Sequence, residues 1–215
     1  MSPWPILYSF RRCPYAMRAR MALYQAEIKC ELREIVLKDK PDTLIAYSEK
    51  ATVPVLITPT EEIIDQSLKV IFWALEQNDP QDWLAANEEE TRLLINDNDN
   101  EFKYYLDRYK YHVAYPEYSQ EHYRDKALPF LDTLEQRLDV NQGIALVDRR
   151  LTLADTAIFP FVRQFANVDL NWFQSSHYTK VIAWYTRLEQ SILFTQCMIK
   201  YEQWVPGEPA IMFPA

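Results

Sequence analysis

The sequence Cys13-Pro14-Tyr15 offers a reactive sulfur at a point where a short apolar strand (residues 6–8) is followed by a helix (residues 16–23). Proline suits the first helical position, because its missing N–H is no loss there and its φ already fits. Cys13 is therefore expected to be the N-cap, at the positive end of the helix dipole. A thiol in that position has its pKa lowered from about 8.5 towards 3.5–7.5. The sequence predicts a thiolate.

The predicted chemistry uses a single thiol, since Ala16 stands where a dithiol motif has its second cysteine. A mixed disulfide formed on Cys13 must then be resolved by an outside thiol. A buried, inert sulfur is the alternative and is a common fate of lone cysteines. Nearby basic residues favour the charged sulfur instead. These are Arg11, Arg12, Arg18 and Arg20.

Charge is distributed unevenly along the 215 residues. The net charge is −8, which argues against nucleic acid as a partner of the whole surface. The first 40 residues nevertheless carry twice as many basic as acidic side chains. Either a small anionic ligand near this segment or a solvated basic face explains the excess.

Only three cysteines occur, and their spacing matches neither a disulfide framework nor a zinc site. We therefore expect no bound metal. No secretory segment begins the sequence and no apolar run approaches membrane-spanning length, so we expect a cytoplasmic protein that binds no membrane. Cys30 and Cys197 are expected to fill the core.

Strand and helix signals alternate over residues 1–77 in the order β-α-β-α-β-β-α, which predicts a small α/β domain. Residues 78–86 are rich in turn formers and predict a linker. Helical spacing dominates residues 87–215, which predicts an all-helical second domain.

Four short motifs, in this order and spacing, resemble the cytosolic glutathione S-transferase superfamily, and among its classes the bacterial-type or omega-like cysteine members. They are Cys13-Pro14-Tyr15-Ala16, Thr52-Val53-Pro54-Val55-Leu56, Asp65-Gln66-Ser67 and Leu151-Thr152-Leu153-Ala154-Asp155. The resemblance covers essentially the whole chain. It implies a thioredoxin-like glutathione-binding domain followed by an all-α helical bundle.

The resemblance implies that Cys13 is the catalytic residue and that the Val53–Pro54 bond is cis, presenting the Val53 backbone to glutathione. A trans proline at the start of a strand is the ordinary alternative. Gln66 and Ser67 fall at a helix N-terminus that suits the γ-glutamyl carboxylate. Many cysteine-type members have a glutamate where Gln66 stands, so weaker glutathione binding is expected.

Lys40 matches the lysine that reaches the glycyl carboxylate of glutathione in cysteine-type members, although Lys38 is close enough to be that residue instead. Tyr15 is implied to lie beside the sulfur. Other classes activate glutathione through a tyrosine or serine near the end of the first strand, which leaves Tyr8 and Ser9 as weaker candidates.

Aromatic residues crowd the first long helix of the second domain and suggest a wall for an apolar second substrate. The candidates for this wall are Tyr104, Tyr105 and Tyr109. Aromatic residues at helical spacing also form cores and dimer interfaces, so both interpretations stay open. Thr152 and Asp155 match a capping box, for which we expect a structural role.

The sequence thus predicts a glutathione-dependent thiol transferase or reductase, with glutathione as co-substrate and a small electrophile or disulfide as the second substrate. Conjugation of glutathione to electrophiles is the alternative activity. A non-catalytic, glutathione transferase-like binding module is the alternative outside enzymes. A homodimer is expected from the resemblance.

Overall fold

The computed structural model describes residues 3–214 and divides into two compact units. The first unit combines Met1–Gln81 with Ser191–Ala215, and the second is Asp82–Gln190. Among the described residues, no helix has both the length and the apolar character needed to cross a membrane.

The described residues of the first unit form a five-stranded mixed sheet and four helices, which confirms the predicted α/β class. In chain order its elements are β1 (Ile6–Ser9), α1 (Pro14–Gln25), β2 (Cys30–Glu34), α2 (Asp42–Tyr47), β3 (Val55–Ile57), β4 (Ile63–Ile64), α3 (Ser67–Gln77), α10 (Ile192–Cys197) and β5 (Ile211–Phe213).

The sheet order is β4-β3-β1-β2-β5. β1 runs parallel to β2 and antiparallel to β3, while β4 and β5 close the two edges in antiparallel pairing. The central strand β1 contributes Leu7 and Tyr8, both fully buried. A strand covered on both faces is a near-continuous apolar run, as residues 6–8 are.

The C-terminal segment differs from the prediction of an all-helical domain reaching residue 215. Its strand β5 pairs with β2, and the Trp204 N–H donates to the Glu34 carbonyl at 2.8 Å. The Trp204 ring lies edge-on to Tyr8, with centroids 6.0 Å apart, and the Arg33 guanidinium stacks 4.3 Å from its centroid. Residues 191–214 therefore belong to the sheet unit, where β5 pairs with the edge of β2 and α10 packs on α1.

The second unit is helical, as predicted. Its helices are α4 (Glu88–Asp97), α5 (Lys103–Lys110), α6 (Gln120–Val140), α7 (Leu153–Ala166), α8 (Leu170–Ser175) and α9 (Thr179–Glu189), with short 3₁₀ turns at Trp83–Ala85 and His112–Ala114. A π-helical turn, Asn98–Phe102, joins α4 to α5.

Asp155 anchors the start of α7 in the core of this unit, where it is fully buried. Its carboxylate accepts the backbone N–H groups of Leu146 and Thr152, the Thr152 hydroxyl and the indole N–H of Trp184, at 2.8–3.1 Å. Both oxygens are thus bonded within the core, which is the structural arrangement expected for this residue.

Candidate active site

Cys13 lies at the junction of β1 and α1. Its backbone is extended, with φ −76° and ψ 122°, and it is the N-cap residue of α1 with Pro14 next. Its N–H donates to the Phe10 carbonyl at 3.0 Å, which closes the intervening turn, and its own carbonyl accepts the first helical hydrogen bond from Met17. The Cys13 side chain makes no capping hydrogen bond to the first turn of α1.

Val53 is the backbone group that the structure brings to the sulfur. The Sγ–H of Cys13 donates to the Val53 carbonyl at 3.6 Å, and the Val53–Pro54 bond is cis, as the resemblance implies. Cys13 is partly exposed. Cys30 and Cys197 are buried, and burial raises the pKa of each thiol to about 12. Of the three sulfurs, Cys13 is the one accessible to a reactant.

The start of α3 faces a buried arginine that the sequence did not identify as a site residue. Arg18 is 2% exposed, its Nε donates to Ser67 Oγ at 2.9 Å, and its guanidinium lies 5.0 Å from the Tyr15 ring centroid. Arg18 therefore connects two of the predicted glutathione-binding residues. Gln66 is the exposed N-cap of α3 and makes no capping bond with its side chain.

The lysine candidates lie apart from this group. Lys40 is partly exposed and lines a cavity of about 470 Å³ together with Thr43 and Trp204, whereas Lys38 is exposed. Among the described residues that line this cavity, neither Cys13 nor Ser67 occurs. Lys40 thus has the better-defined surroundings of the two.

Tyr8 and Ser9 are both fully buried, and their hydroxyl groups are already bonded. The Tyr8 hydroxyl donates to Thr43 Oγ1 at 2.7 Å and accepts from Arg33 at 2.6 Å. Ser9 Oγ accepts from Arg20 at 2.6 Å. Their geometry is that of structural groups, which favours Cys13 over both.

The three tyrosines suggested for a second substrate have different surroundings. Tyr104 is 49% exposed and lies beneath the Arg108 guanidinium, while Tyr105 is partly exposed. Tyr109 is 2% exposed and packs on Phe165, and burial raises its pKa to about 12. Only Tyr104 and Tyr105 present ring surface to a ligand.

Comparison with protein-family models matches two segments of the chain. Residues 7–83 match the glutathione S-transferase N-terminal domain, and residues 100–191 match the glutathione S-transferase C-terminal domain. Together these segments cover well over half of the sequence. A search of curated proteins finds no match.

Solved structures share the fold at low sequence identity. A glutathione S-transferase from Rhodospirillum rubrum F11 superposes with a TM-score of 0.74 and 18% identity, covering 92% of this chain and 93% of the other. One from the Antarctic clam Laternula elliptica gives 0.73 and 17%, covering 91% and 92%. Ure2p5 from Phanerochaete chrysosporium, cocrystallized with 1-(S-glutathionyl)-2,4-dinitrobenzene, gives 0.74 and 17%, covering 92% and 94%.

Proposed function

Because the chain belongs to the glutathione S-transferase superfamily, we propose that it is a cysteine-type glutathione-dependent thiol transferase with Cys13 as the nucleophile. One observation carries this proposal: a partly exposed cysteine is the N-cap of α1 and lies beside the Val53 carbonyl. Family membership supports glutathione transfer in general, and the cysteine supports the thiol-exchange form of it.

The position of Cys13 supports a sulfur that both attacks and leaves readily. The N-terminus of α1 carries the positive end of the helix dipole, which stabilises a thiolate. A stabilised thiolate is also a better leaving group, which the second step of thiol exchange requires. In the structure the thiol proton is donated to Val53, so ionisation of Cys13 frees that carbonyl for a glutathione amide.

Glutathione is proposed to bind along the first unit. The Val53 backbone would contact its cysteinyl part, while Ser67, Gln66 and Arg18 would hold the γ-glutamyl end. Arg18 supports this assignment because a buried cation beside the N-terminus of α3 attracts a carboxylate. Lys40 is proposed for the glycyl carboxylate, and Tyr15 for contact near the sulfur.

The proposed reaction is R–S–S–G + GSH → R–SH + GSSG, where GSH and GSSG are reduced and oxidised glutathione. The Cys13 thiolate attacks the glutathionyl sulfur of the substrate, the S–S bond breaks, and the departing R–S⁻ takes a proton from solvent. A second glutathione, as thiolate, then attacks the Cys13–glutathione disulfide and displaces the Cys13 thiolate. The substrate is reduced, and glutathione is oxidised. Two half-reactions predict ping-pong kinetics.

Conjugation of glutathione to an electrophile is the second candidate. It is favoured by the likeness to Ure2p5, whose structure carries a dinitrobenzene conjugate of glutathione. Tyr104 and Tyr105 would offer ring surface to such a substrate. We further propose that the protein is a homodimer and that it is cytoplasmic.

The test is intact mass after incubation with oxidised glutathione at neutral pH, on the wild type, Cys13→Ala and Cys197→Ala. We expect one adduct of about 305 Da on the wild type and on Cys197→Ala, because both retain the accessible sulfur, and none on Cys13→Ala. A reductase assay with a glutathionylated peptide should follow the same pattern. An equal adduct on Cys13→Ala, or none on the wild type, would contradict the proposal and favour conjugation or simple binding.

A further inference from the structure

Two buried charged side chains hold the turn that presents Cys13. Arg20 lies on α1 and is 1% exposed, while Glu34 is the last residue of β2 and is 8% exposed. Charged side chains are almost never fully buried unless they are paired, so their burial calls for a reason. Neither residue belongs to the glutathione-binding set proposed above.

Both side chains are bonded to the backbone of Arg11, two residues before Cys13. Glu34 Oε1 accepts the Arg11 N–H at 2.6 Å, and Arg20 Nη2 donates to the Arg11 carbonyl at 2.7 Å. Arg20 Nη1 also donates to Ser9 Oγ at 2.6 Å, at the end of β1. The turn is thus held on both sides of Arg11, by one helix and one strand.

The arrangement is a costly way to stabilise a fold. The Arg20 Nη1 and Glu34 Oε2 atoms are 3.8 Å apart, too far for a hydrogen bond, and Arg20 Nε and Glu34 Oε2 have no hydrogen-bond partner. Apolar side chains of similar volume often replace a buried ion pair without loss of stability. What apolar residues cannot replace is the pair of bonds to the Arg11 backbone.

Arg20 also brings charge towards the sulfur. Burial lowers its pKa, but the groups that surround it raise that pKa again, and a guanidinium remains protonated in proteins. The groups that raise it are, in decreasing order, Cys197 of α10, Glu34 of β2, Cys13 at the start of α1 and Tyr201 of the C-terminal segment. Cys30 of β2 also faces this charge, which lowers the pKa of its thiol against the effect of burial. A fixed cation here favours the thiolate form of Cys13.

We infer that Arg20, held in place by Glu34, is the positioning residue of Cys13: its guanidinium fixes the turn from Ser9 to Cys13 and supplies a buried positive charge to the sulfur. The inference rests on the proposed function, since it names what aligns that nucleophile. Neither residue touches substrate. Their effect reaches the reaction through the backbone of the turn and through the electric field.

Arg20→Met tests both roles, because methionine has similar volume but neither charge nor donors. We expect glutathione-dependent reduction of a glutathionylated peptide to lose kcat by about tenfold or more, since small displacements of a nucleophile have large effects. KM for glutathione should stay within a few-fold. Alkylation of Cys13 by iodoacetamide, localised by peptide mapping, should move to higher pH.

Arg20→Lys separates the two roles. It keeps the charge but loses the planar fork that bonds Ser9 and Arg11 together. We expect its alkylation profile to resemble the wild type while kcat stays reduced. Glu34→Gln, which retains an acceptor for the Arg11 N–H, gives a milder variant should Arg20→Met not fold, and we expect a several-fold loss of kcat.

Arg33→Met is the matched control, because Arg33 is a partly buried arginine of the same strand as Glu34, and its guanidinium bonds Glu31 and the Tyr8 hydroxyl instead of Ser9 and Arg11. The inference is overturned if Arg20→Met and Glu34→Gln are less stable to heat but keep the wild-type kcat and alkylation profile, or if Arg33→Met loses as much. Should the wild type form no glutathione adduct, the proposed function fails, and the alkylation profiles still decide the role of Arg20.

Discussion

Both units of the molecule bury charged side chains, but they satisfy them differently. In the helical unit, Asp155 is fully buried and both of its oxygens accept hydrogen bonds. In the sheet unit, Arg20 and Glu34 are buried together, and each keeps a polar atom with no hydrogen-bond partner. The hydrogen bonding of the buried charge is therefore complete in the helical unit and incomplete in the sheet unit.

This difference separates a charge that builds the fold from charges that serve the site. A buried charge whose hydrogen bonds are all made orders the core around it, as Asp155 does at the start of α7. A buried charge with an unbonded polar atom lowers the stability of the fold. Such charges are kept at functional sites, where the geometry of the site is more important than stability. Arg20 and Glu34, whose hydrogen bonding is incomplete, are the pair bonded to the turn that precedes Cys13.

The largest expected effect is the loss of stability when Asp155, the charge that builds the fold, is replaced. Asp155→Ala leaves the N–H groups of Leu146, Thr152 and Trp184 without an acceptor in the core. The free energy of unfolding should fall by about 3 kcal/mol or more, because each buried unpaired donor costs about 1–3 kcal/mol. Urea denaturation followed by tryptophan fluorescence measures this loss. A change in Cys13 alkylation below the melting temperature would break the comparison.

The pH dependence of stability gives the next largest effect. Burial raises the pKa of Asp155 to about 6, against hydrogen bonds from Trp184, Thr152 and Leu146 that lower it. The unfolded chain releases this proton near pH 4, so between about pH 4 and 6 the folded protein binds more protons and stability falls as pH rises. The contribution reaches at most about 3 kcal/mol.

Asp155→Asn removes this titration and serves as the reference. Urea denaturation at pH 5 and pH 7 should show a larger stability advantage of the wild type over the variant at pH 5. A larger advantage at pH 7 would mean that the hydrogen bonds outweigh burial, which contradicts the raised pKa.

Ser67→Ala tests the glutathione-binding side of the sheet unit with a smaller effect. It removes the hydroxyl that accepts from Arg18 Nε and lies at the first position of α3. We expect glutathione affinity by isothermal titration calorimetry to fall several-fold, since one hydrogen bond contributes about 1 kcal/mol. Lys69→Ala, an exposed change on the same helix, is the control. Equal losses for both variants would remove Ser67 from the proposed site.

Lys40→Ala should have the smallest effect, a few-fold loss of glutathione affinity that shrinks as salt is added, because charges near the surface are screened. Lys38→Ala should leave affinity unchanged, since Lys38 is exposed and does not line the cavity beside Lys40. The reverse order would assign the glycyl carboxylate to Lys38.

Local signals were enough to predict the order of elements in the first 77 residues. Apolar runs, prolines and turn formers mark β1 to α3, and the N-cap position of Cys13 follows from Pro14 alone. They could not predict β5. A three-residue strand has no measurable period, and its partner β2 lies at the other end of the chain.

Site residues could be predicted from the sequence where their role depends on their position at a helix terminus. They could not be predicted where their role depends on whether the side chain is buried. Cys13 and Ser67 follow from helix termini. The sequence analysis names Arg18 and Arg20 as basic residues near Cys13 but does not predict their burial. Both are buried, because α1 packs on α3 and α10. Tyr109 is likewise buried where the sequence suggested a ring available to a substrate, since residue spacing cannot distinguish a core ring from an exposed one.

The pairing of β5 with β2 has a consequence for protein synthesis. The helical unit is made between the two parts of the sheet unit, so the sheet that carries Cys13 cannot be completed until the last strand leaves the ribosome. A chain that stops within the helical unit would leave the outer edge of β2 unpaired. Open edges recruit strands from other chains, so truncated products should aggregate while full-length chains do not.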